Sequence, residues 1–297
     1  MHFYLKKASH LIEHTRNHSR RLHPKPTGEE PRLQPFPGIK AVIFDIYGTL
    51  FISGSGDISL AEEEDRSPAI AGALATAGYR ILSPQAPWSD HLLDCIRKFR
   101  ELRKVDGIAF PEVRIEEVWA AFIGEATAMG WLEGDGDIRL AIVDHECRVN
   151  PAWPMPGLGE ILGWIRSRGL LLGIVSNAQF YTPLLFPALL GCRLEELGFR
   201  EDCSVWSYVE REGKPSIRLY QLLAERLAER DILPRQVLYI GNDMRNDIRP
   251  ARETGFATAL FAGDARSLRW RREDPRCRDL QPDLVLTNLR QIEQVLA

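Results

Sequence analysis

A run of four apolar residues that ends in a carboxylate constrains the fold of this chain more than any other feature. Ala41 to Phe44 has the composition of a strand buried on both faces, and Asp45 and a Gly48-Thr49 turn follow it. Strands of this kind are typical of parallel sheets covered by helices. A carboxylate at the end of such a strand lies in the crevice where open α/β sheets bind ligands. The alternative is that Asp45 only caps the next turn.

The composition is that of a folded protein without an extreme charge. The chain has 297 residues, of which 44% are hydrophobic and 27% are charged, and its net charge is −3. This balance indicates neither a nucleic-acid nor a membrane partner, and no apolar run approaches the roughly 20 residues of a spanning helix. The five cysteines are scattered and form no C-x-x-C pair, which predicts reduced thiols and a cytoplasmic location. No sequence feature specifies an oligomeric state.

Residues 1–38 differ in composition from everything that follows. They hold five of the seven histidines and a proline-rich end, so we predict a basic tail in front of the folded chain. His10, His14 and His18 are spaced four apart and would share one face of a helix. Metal binding by these histidines is conceivable, although a solvated tail is the simpler interpretation.

The segment 58–150 has helical patterns almost throughout. Apolar residues such as Leu92 and Ile96 recur at helical spacing among charged ones, and no strand-like alternation is present. A glycine-rich turn at 53–57 leads into the segment, and a proline-rich connector at 151–157 leads out of it. We therefore predict a small helical domain inserted after the first strand.

From residue 151 onward, predicted strands and helices alternate regularly. This alternation predicts an α/β fold with a doubly wound parallel sheet, built from 39–57 and 151–297. Polar side chains follow the ends of its strands: Ser176-Asn177, Lys214, and Asp243 with Asp247. Because the carboxyl ends of parallel strands share one edge, we expect these groups to converge with Asp45.

In this order the polar groups resemble the four motifs of the haloacid dehalogenase superfamily. The matching residues are Asp45-Ile46-Tyr47-Gly48-Thr49, then Ser176, then Lys214, and finally Gly241-Asn242-Asp243 with Asp247. The resemblance covers 39–297 and implies a Rossmann-like hydrolase core. The distance between the first two motifs resembles that of the subclass with a helical cap inserted after the first motif.

The resemblance also implies roles for individual residues. Asp45 would be the nucleophile that forms a covalent intermediate, and Lys214 would hold it ionised. Ser176 would hydrogen-bond the transferring group, and Thr49 belongs to the same set of catalytic residues.

A magnesium site is the second implication of the resemblance. The ligands would be the carboxylate of Asp45, the acids Asp243 and Asp247 as direct or indirect partners, and the backbone carbonyl of Tyr47. Mg²⁺ prefers hard oxygen ligands of this kind.

Position 47 departs from the phosphatase pattern of the superfamily. Phosphatases carry a second Asp there as the general acid. The chain has Tyr47 instead, and because the reference pKa of a tyrosine is near 10, it is a poor replacement. The 2-haloacid dehalogenases carry Asp-x-Tyr-Gly-Thr and expel halide, which needs no proton. Asn177 and Tyr220 also resemble that branch and are predicted substrate contacts. Arg97 and Arg100 would bind a substrate carboxylate from the cap, unless they form a solvated basic face.

The chain thus combines a dehalogenase-like first motif with a phosphatase-like fourth motif. We expect Mg²⁺-dependent phosphoryl hydrolysis of a small-molecule phosphate with a good leaving group. The alternatives are metal-independent 2-haloacid dehalogenase-like hydrolysis and a non-catalytic ligand-binding descendant. Asp57, in the glycine-rich turn, could replace the missing acid. The arginine-rich stretch at 266–278 is interpreted as a solvated loop, because acidic neighbours dilute its charge.

Overall fold

The apolar run before Asp45 is a central strand in a computed structural model of the chain, which describes residues 8–55, 65–105 and 107–296. The described strands are β1 (Ala41–Phe44), β2 (Phe51–Ser53), β3 (Arg80–Ile81), β4 (Leu132–Glu133), β5 (Ala152–Pro154), β6 (Leu171–Ser176), β7 (Phe199–Trp206), β8 (Val237–Gly241), β9 (Ala257–Phe261) and β10 (Leu284–Leu286). The described α-helices are α1 (Ser9–His18), α2 (Ser67–Thr76), α3 (Trp88–Val105), α4 (Ile115–Ala128), α5 (Ile138–Val149), α6 (Leu158–Ser167), α7 (Leu185–Leu189), α8 (Ser207–Glu210), α9 (Arg218–Ala228), α10 (Arg249–Glu253) and α11 (Gln291–Leu296). No helix in these ranges has the length and apolar composition needed to span a membrane.

Six of the described strands form one parallel sheet in the order β10-β9-β8-β1-β6-β7. Successive residues of β1 point to opposite faces. Val42 and Phe44 belong to one hydrophobic cluster, and Ala41 and Ile43 belong to another. Burial of both faces explains why this strand is apolar throughout. The prediction of a doubly wound α/β fold is confirmed.

Helices α2 to α5 follow one another between β2 and β5 and supply most of one hydrophobic cluster. Its largest fully buried side chains include Trp88, Trp119 and Phe122. β2 and β5 pair with each other as a separate two-stranded antiparallel sheet. The chain therefore enters and leaves the inserted helices at one place. The predicted helical insertion after the first strand is thus present. Its predicted junction at residues 57–58, and Asp57 itself, lie outside the described residues.

The N-terminal segment is more closely packed than the predicted solvated tail. Leu11 of α1 is fully buried in the hydrophobic cluster of the inserted helices. Farther along, Arg32 and Val285 exchange backbone hydrogen bonds of 3.0 Å, and the N–H of Phe36 donates to the carbonyl of Val295 at 2.7 Å. The apolar residues between the charged ones attach this segment to the rest of the chain, a pattern that a composition-based interpretation overlooks.

Candidate active site

The ends of three neighbouring strands bring polar side chains to one edge of the sheet. β1 lies between β8 and β6. Asp45 extends β1, since its backbone N–H donates to the carbonyl of Ile240 at 2.9 Å, and Ser176 is the last residue of β6. Because the strands are parallel, their carboxyl ends share this edge.

The ammonium group of Lys214 joins two buried carboxylates at this edge. Its Nζ lies 2.7 Å from Oδ1 of Asp45 and 2.6 Å from Oδ1 of Asp247, and its side chain is 4% exposed. Burial acts to lower the pKa of Lys214, but the two carboxylates outweigh burial and raise that pKa above its ordinary value. Among the described residues, Oδ2 of Asp45 has no hydrogen-bond partner, which leaves this oxygen available to a ligand.

Asn177 holds Lys214 in this position from the end of β6. Oδ1 of Asn177 accepts the backbone N–H of Lys214 at 2.7 Å, and its Nδ2 donates weakly to the Lys214 carbonyl at 3.5 Å. The predicted substrate residue therefore orients the lysine and also lines the cleft in front of it.

Asp247 has its hydrogen-bonding capacity filled by the chain itself. Its Oδ2 accepts the backbone N–H groups of Asn242 and Asp243, both at 3.0 Å. Its Oδ1 accepts from Lys214 and from the hydroxyl of Tyr239 at 2.9 Å. Burial, together with the neighbouring carboxylates, raises the pKa of Asp247 to about 6, although Lys214 opposes this. These contacts favour indirect support of a metal site over the predicted alternative of direct ligation.

Asp243 caps the turn after β8 and binds an arginine. Its Oδ1 accepts the N–H groups of Arg245 and Asn246 at 2.8 and 3.2 Å, at the start of a π-helical turn (Met244–Ile248). Its Oδ2 lies 2.7 Å from Nη2 and 3.2 Å from Nε of Arg271. Such π-helical turns are frequent at functional sites.

The arginine reaches Asp243 because the segment after β9 is docked onto this turn. The N–H of Met244 donates to the carbonyl of Arg269 at 2.9 Å, and the N–H of Arg269 donates to the carbonyl of Asn242 at 2.9 Å. The interpretation of 266–278 as a solvated loop is therefore wrong for Arg269 and Arg271, both of which line the cleft. The charge pattern of the sequence does not show that this segment pairs through its backbone with a turn elsewhere in the chain.

The turn after β1 packs against the same loop. Gly48 has a φ of +82°, and a Cβ there would lie 2.5 Å from the Cβ of Ser267, so both backbone angle and space require glycine. Thr49 is fully buried and donates to Oδ1 of Asn242 at 3.3 Å. Ser176 is also fully buried, and its hydroxyl donates to the carbonyl of the next residue at 3.4 Å. Thr49 and Ser176 are not among the residues that line the cleft.

Tyr47 lies at the cleft with its hydroxyl directed to Thr182, 3.2 Å from the threonine Oγ1. Burial raises the pKa of Tyr47 well above its ordinary value, and the negative charge of Glu146 raises it further. The hydrogen bond from Thr182 only partly opposes these effects. Tyr47 is therefore an even weaker proton donor than an exposed tyrosine.

These groups surround a cleft of about 190 Å³. Its described lining consists of Asp45, Tyr47, Ser53, Asn150, Asn177, Lys214, Asn242, Asp243, Asn246, Asp247, Ser267, Arg269 and Arg271. Three carboxylates and three cationic side chains are among them, so the formal charges balance. A larger groove of about 1260 Å³ runs beside β7, but none of the cleft residues lines it. We place the candidate site in the smaller cleft because Asp45, the predicted nucleophile, and three cationic side chains meet there.

Three predicted substrate residues lie away from this cleft. Tyr220 is fully buried under the sheet, and its hydroxyl donates to the carbonyl of Asn246 at 2.7 Å, so it supports the turn from behind. Arg97 is 63% exposed and pairs with Asp94 at 2.8 Å. Arg100 lies on the same helix α3 and is also absent from the described lining of the cleft. The spacing of apolar residues predicted that these three residues lie on helices, but it did not predict the direction in which their side chains point.

The donor atoms in the cleft fit a magnesium ion. Asp45 and Asp243 offer carboxylate oxygens and Tyr47 offers a backbone carbonyl, which together form the hard oxygen set that Mg²⁺ prefers. Arg271 shares Oδ2 of Asp243, so the guanidinium and a metal ion would compete for that carboxylate.

Comparisons with known proteins agree with this geometry. A family model described as a haloacid dehalogenase-like hydrolase matches residues 39–255. No curated protein sequence matches the chain.

Solved structures are similar to this chain at low sequence identity, and the first of those named here shares its fold. A 2-haloacid dehalogenase from Pseudomonas syringae pv. Tomato is 19% identical with a TM-score of 0.56, covering 86% of this chain and 97% of that one. An L-2-haloacid dehalogenase is 22% identical with a TM-score of 0.47, covering 86% and 98%. A phosphatase from Thermococcus onnurineus is 18% identical with a TM-score of 0.47, covering 86% and 97%.

The family match spans four of the six strands of the sheet, the helical insertion and the polar groups at the strand ends. This chain belongs to the haloacid dehalogenase-like hydrolases.

Proposed function

We propose that this hydrolase is a Mg²⁺-dependent phosphatase of a small phosphate with a good leaving group. The observation that carries the proposal is the meeting of Asp45 and Asp243 in one cleft, with Lys214 beside the first of them. Expulsion of halide needs no metal ion, whereas a second carboxylate at the next strand end suits one.

Asp45 is the proposed nucleophile. Its Oδ2 attacks the phosphorus atom and forms an acyl phosphate as the bond to the leaving oxygen breaks, and water then hydrolyses this intermediate. Lys214 binds Oδ1, so it keeps the carboxylate ionised and offsets charge near the transferring group. Bound Mg²⁺ would neutralise charge on the phosphoryl oxygens. Asp247 and Asn177 act indirectly by holding Lys214 in place.

The leaving group receives no proton from Tyr47 in this proposal. The raised pKa of the phenol and its contact with Thr182 make proton transfer from this residue unfavourable. The leaving group must therefore depart as a stable anion, as the carboxylate of an acyl phosphate and the phenolate of an aryl phosphate do. The cleft, at about 190 Å³, is smaller than the roughly 300–1,000 Å³ of sites for drug-sized ligands, which favours a small substrate.

A metal-independent 2-haloacid dehalogenase activity is the second candidate. Arg271 already supplies a positive charge to Asp243, and Tyr47 stands where a proton donor would be needed. In that case Asp45 would attack the carbon that bears the halogen, halide would leave with its electron pair, and water would hydrolyse the resulting ester.

A substrate panel with Mg²⁺ and with chelator separates the two candidates. Acyl phosphates, aryl phosphates, alkyl phosphates and 2-haloacids are assayed with the wild type and with Asp45→Asn. The proposal expects turnover of acyl and aryl phosphates that chelator removes and Asp45→Asn abolishes. Halide release that persists in chelator, without phosphatase activity, would establish the second candidate instead.

We also propose that residues 58–150 act as the cap over a core formed by 39–57 and 151–297. The hydrophobic cluster to which the inserted helices contribute most of the members supports this division, although Leu11, Phe180 and Leu184 also belong to it. A cytoplasmic location is proposed as well, because all five cysteines lie in the described ranges and are unpaired.

A further inference from the structure

Helix α1 connects two parts of the molecule from outside the family match. It packs against α5 of the inserted helices and against α7 near the sheet. Leu11 is buried on its inner side, and Arg16 donates to the carbonyls of Ala188 and Pro187 at 3.0 and 2.9 Å. All three evenly spaced histidines lie beside α5: Nε2 of His10 is 2.9 Å from Oδ2 of Asp137, the N-cap residue of that helix, and His14 and His18 lie near Asp144.

His14 and His18 form a stacked pair that faces a buried carboxylate. Their ring centroids are 3.9 Å apart and the rings are inclined by 19°. Nε2 of His14 lies 2.8 Å from Oδ1 of Asp144, whose side chain is 2% exposed. One ligand atom from each of the three residues lies within 4.8 Å of the other two. They provide two imidazoles and one carboxylate from two different helices.

The hydrogen bonds around the cluster prepare these atoms for a metal ion. Nδ1 of His18 is 2.9 Å from the carbonyl of His14, so Nδ1 carries the proton and Nε2 carries the lone pair. Oδ2 of Asp144 accepts from Nε of Arg148 at 2.5 Å, which orients the carboxylate so that Oδ1 faces Nε2 of His14. Metal-binding side chains are commonly oriented by second contacts of this kind.

We propose that His14, His18 and Asp144 bind a divalent transition-metal ion such as Zn²⁺. Imidazole ligands select zinc, copper or nickel, whereas Mg²⁺ prefers sites made of oxygen alone. Three protein ligands leave the fourth tetrahedral position to water, on the side where His18 is exposed. Binding displaces the proton between His14 and Asp144, and it cross-links α1 to α5.

A second cluster, formed by His91, Cys95 and Glu125, is a weaker candidate. Its ligand atoms also lie within 4.8 Å of one another, and its carboxylate, like that of Asp144, has a cationic partner, with Nζ of Lys98 3.2 Å from Oε2 of Glu125. The difference is burial, since the side chain of Glu125 is 42% exposed and that of Asp144 is 2% exposed, so water competes more strongly for the Glu125 carboxylate. A Cys95→Ser variant therefore serves as a control in the experiment.

Calorimetric titration of the chelator-treated full chain with Zn²⁺ tests the proposal, with thermal unfolding as the second readout. With excess Mg²⁺ present to occupy the cleft, we expect one zinc ion per chain and a higher unfolding temperature in zinc, because a ligand of the folded state stabilises it. His18→Ala, at an exposed position, should weaken binding by roughly tenfold or more and abolish the thermal shift. His10→Ala and Cys95→Ser should bind as the wild type does.

Asp144→Asn provides the decisive comparison, because surface histidine pairs alone bind zinc weakly. The proposal requires that this variant also bind at least about tenfold more weakly. Its folding is checked by circular dichroism, and His14→Gln replaces it if it is unfolded. Equal affinity of His18→Ala and His10→Ala, or full affinity without the acidic ligand, would overturn the proposed site.

Discussion

The guanidinium group of Arg271 lies against the carboxylate of Asp243, with Nη2 2.7 Å and Nε 3.2 Å from Oδ2. The chain thus places a cation of its own on the carboxylate that the proposed metal site needs. Because one oxygen cannot satisfy both partners fully, the arginine and the metal ion should compete. The extent of this competition sets the metal affinity of the cleft.

We predict that Arg271→Gln strengthens Mg²⁺ binding. In the wild type, a metal ion must displace Arg271 from Asp243, and hydrogen bonds to charged groups contribute about 1.5–3 kcal/mol. The substitution removes this opposing contribution. The expected gain in affinity is therefore about tenfold or more, measured by titration calorimetry of the chelator-treated protein.

Arg272→Gln is the matched control for this prediction. Arg272 has the same charge and lies next in the chain, but its side chain is 71% exposed and stands over Trp270. Its replacement should leave the affinity for Mg²⁺ unchanged. Weaker binding by Arg271→Gln would show that the arginine assists the metal rather than competes with it.

A second prediction concerns Lys214→Met. Removal of the ammonium leaves Asp45 and Asp247 buried without a cation, which typically costs about 3–5 kcal/mol of unfolding free energy. Activity should fall by about 10²–10³-fold, the usual effect of losing one electrostatic contact in an active site. Urea unfolding and steady-state kinetics give the two values.

The double variant Lys214→Met with Asp247→Asn separates stability from catalysis. Neutralising Asp247 relieves the repulsion, so part of the unfolding free energy should return while activity stays low. A single variant as stable as the wild type would contradict the buried ion pairs on which this prediction depends.

Tyr47→Asp should accelerate the hydrolysis of alkyl phosphates selectively. A carboxyl group at this position could protonate a poor leaving group, a contribution of about 10²–10⁴-fold. The wild type, without such a donor, should show a steep decrease in rate as the leaving-group pKa rises, and the variant should show a shallower one. The measurement is a series of substituted phosphate esters assayed with both proteins.

Tyr47→Phe is the control, since it keeps the ring and removes only the hydroxyl that contacts Thr182. Its slope should match that of the wild type. If the wild-type slope is shallow and Tyr47→Asp leaves it unchanged, another residue supplies the proton.

His145 should make the folded state sensitive to acid. Its Nε2 is buried without a partner among the described residues, and burial, with Arg66 and Arg148 adding to it, lowers the pKa of His145 to about 3. The unfolded chain binds that proton near pH 6.5, so protons favour unfolding between about pH 6.5 and 3. At pH 5 this group should cost up to about 2 kcal/mol relative to pH 7.5.

Urea unfolding of the wild type and of His145→Gln at the two pH values tests this expectation. The variant should lose less stability on acidification. His23→Gln, at an exposed position, should behave as the wild type does. Equal acid sensitivity of His145→Gln and the wild type would mean that other groups control it.

The fold and the centre of the candidate site were predictable from local patterns. The apolar run before Asp45 defines a strand, and the geometry of parallel strands places Lys214 and the later acids beside it. Neither step needs knowledge of distant contacts.

Features that depend on distant contacts were missed. Arg271 reaches Asp243 across 28 residues through a docked loop, and its charge pattern resembled that of a solvated segment. Tyr220 was assigned from its spacing after Lys214, but spacing along a helix does not define which side faces the cleft. The burial of Leu11 likewise depends on a partner helix more than 100 residues away.

The pairing of β2 with β5 has a consequence for the ancestry of such a chain. Because these strands are neighbours, everything between them begins and ends within one strand spacing, about 5 Å. A long helical insertion and a tight hairpin would therefore connect these two strands with the same distance between their ends. Segments of very different length and specificity could therefore be exchanged at this junction by recombination, while the catalytic sheet kept its geometry.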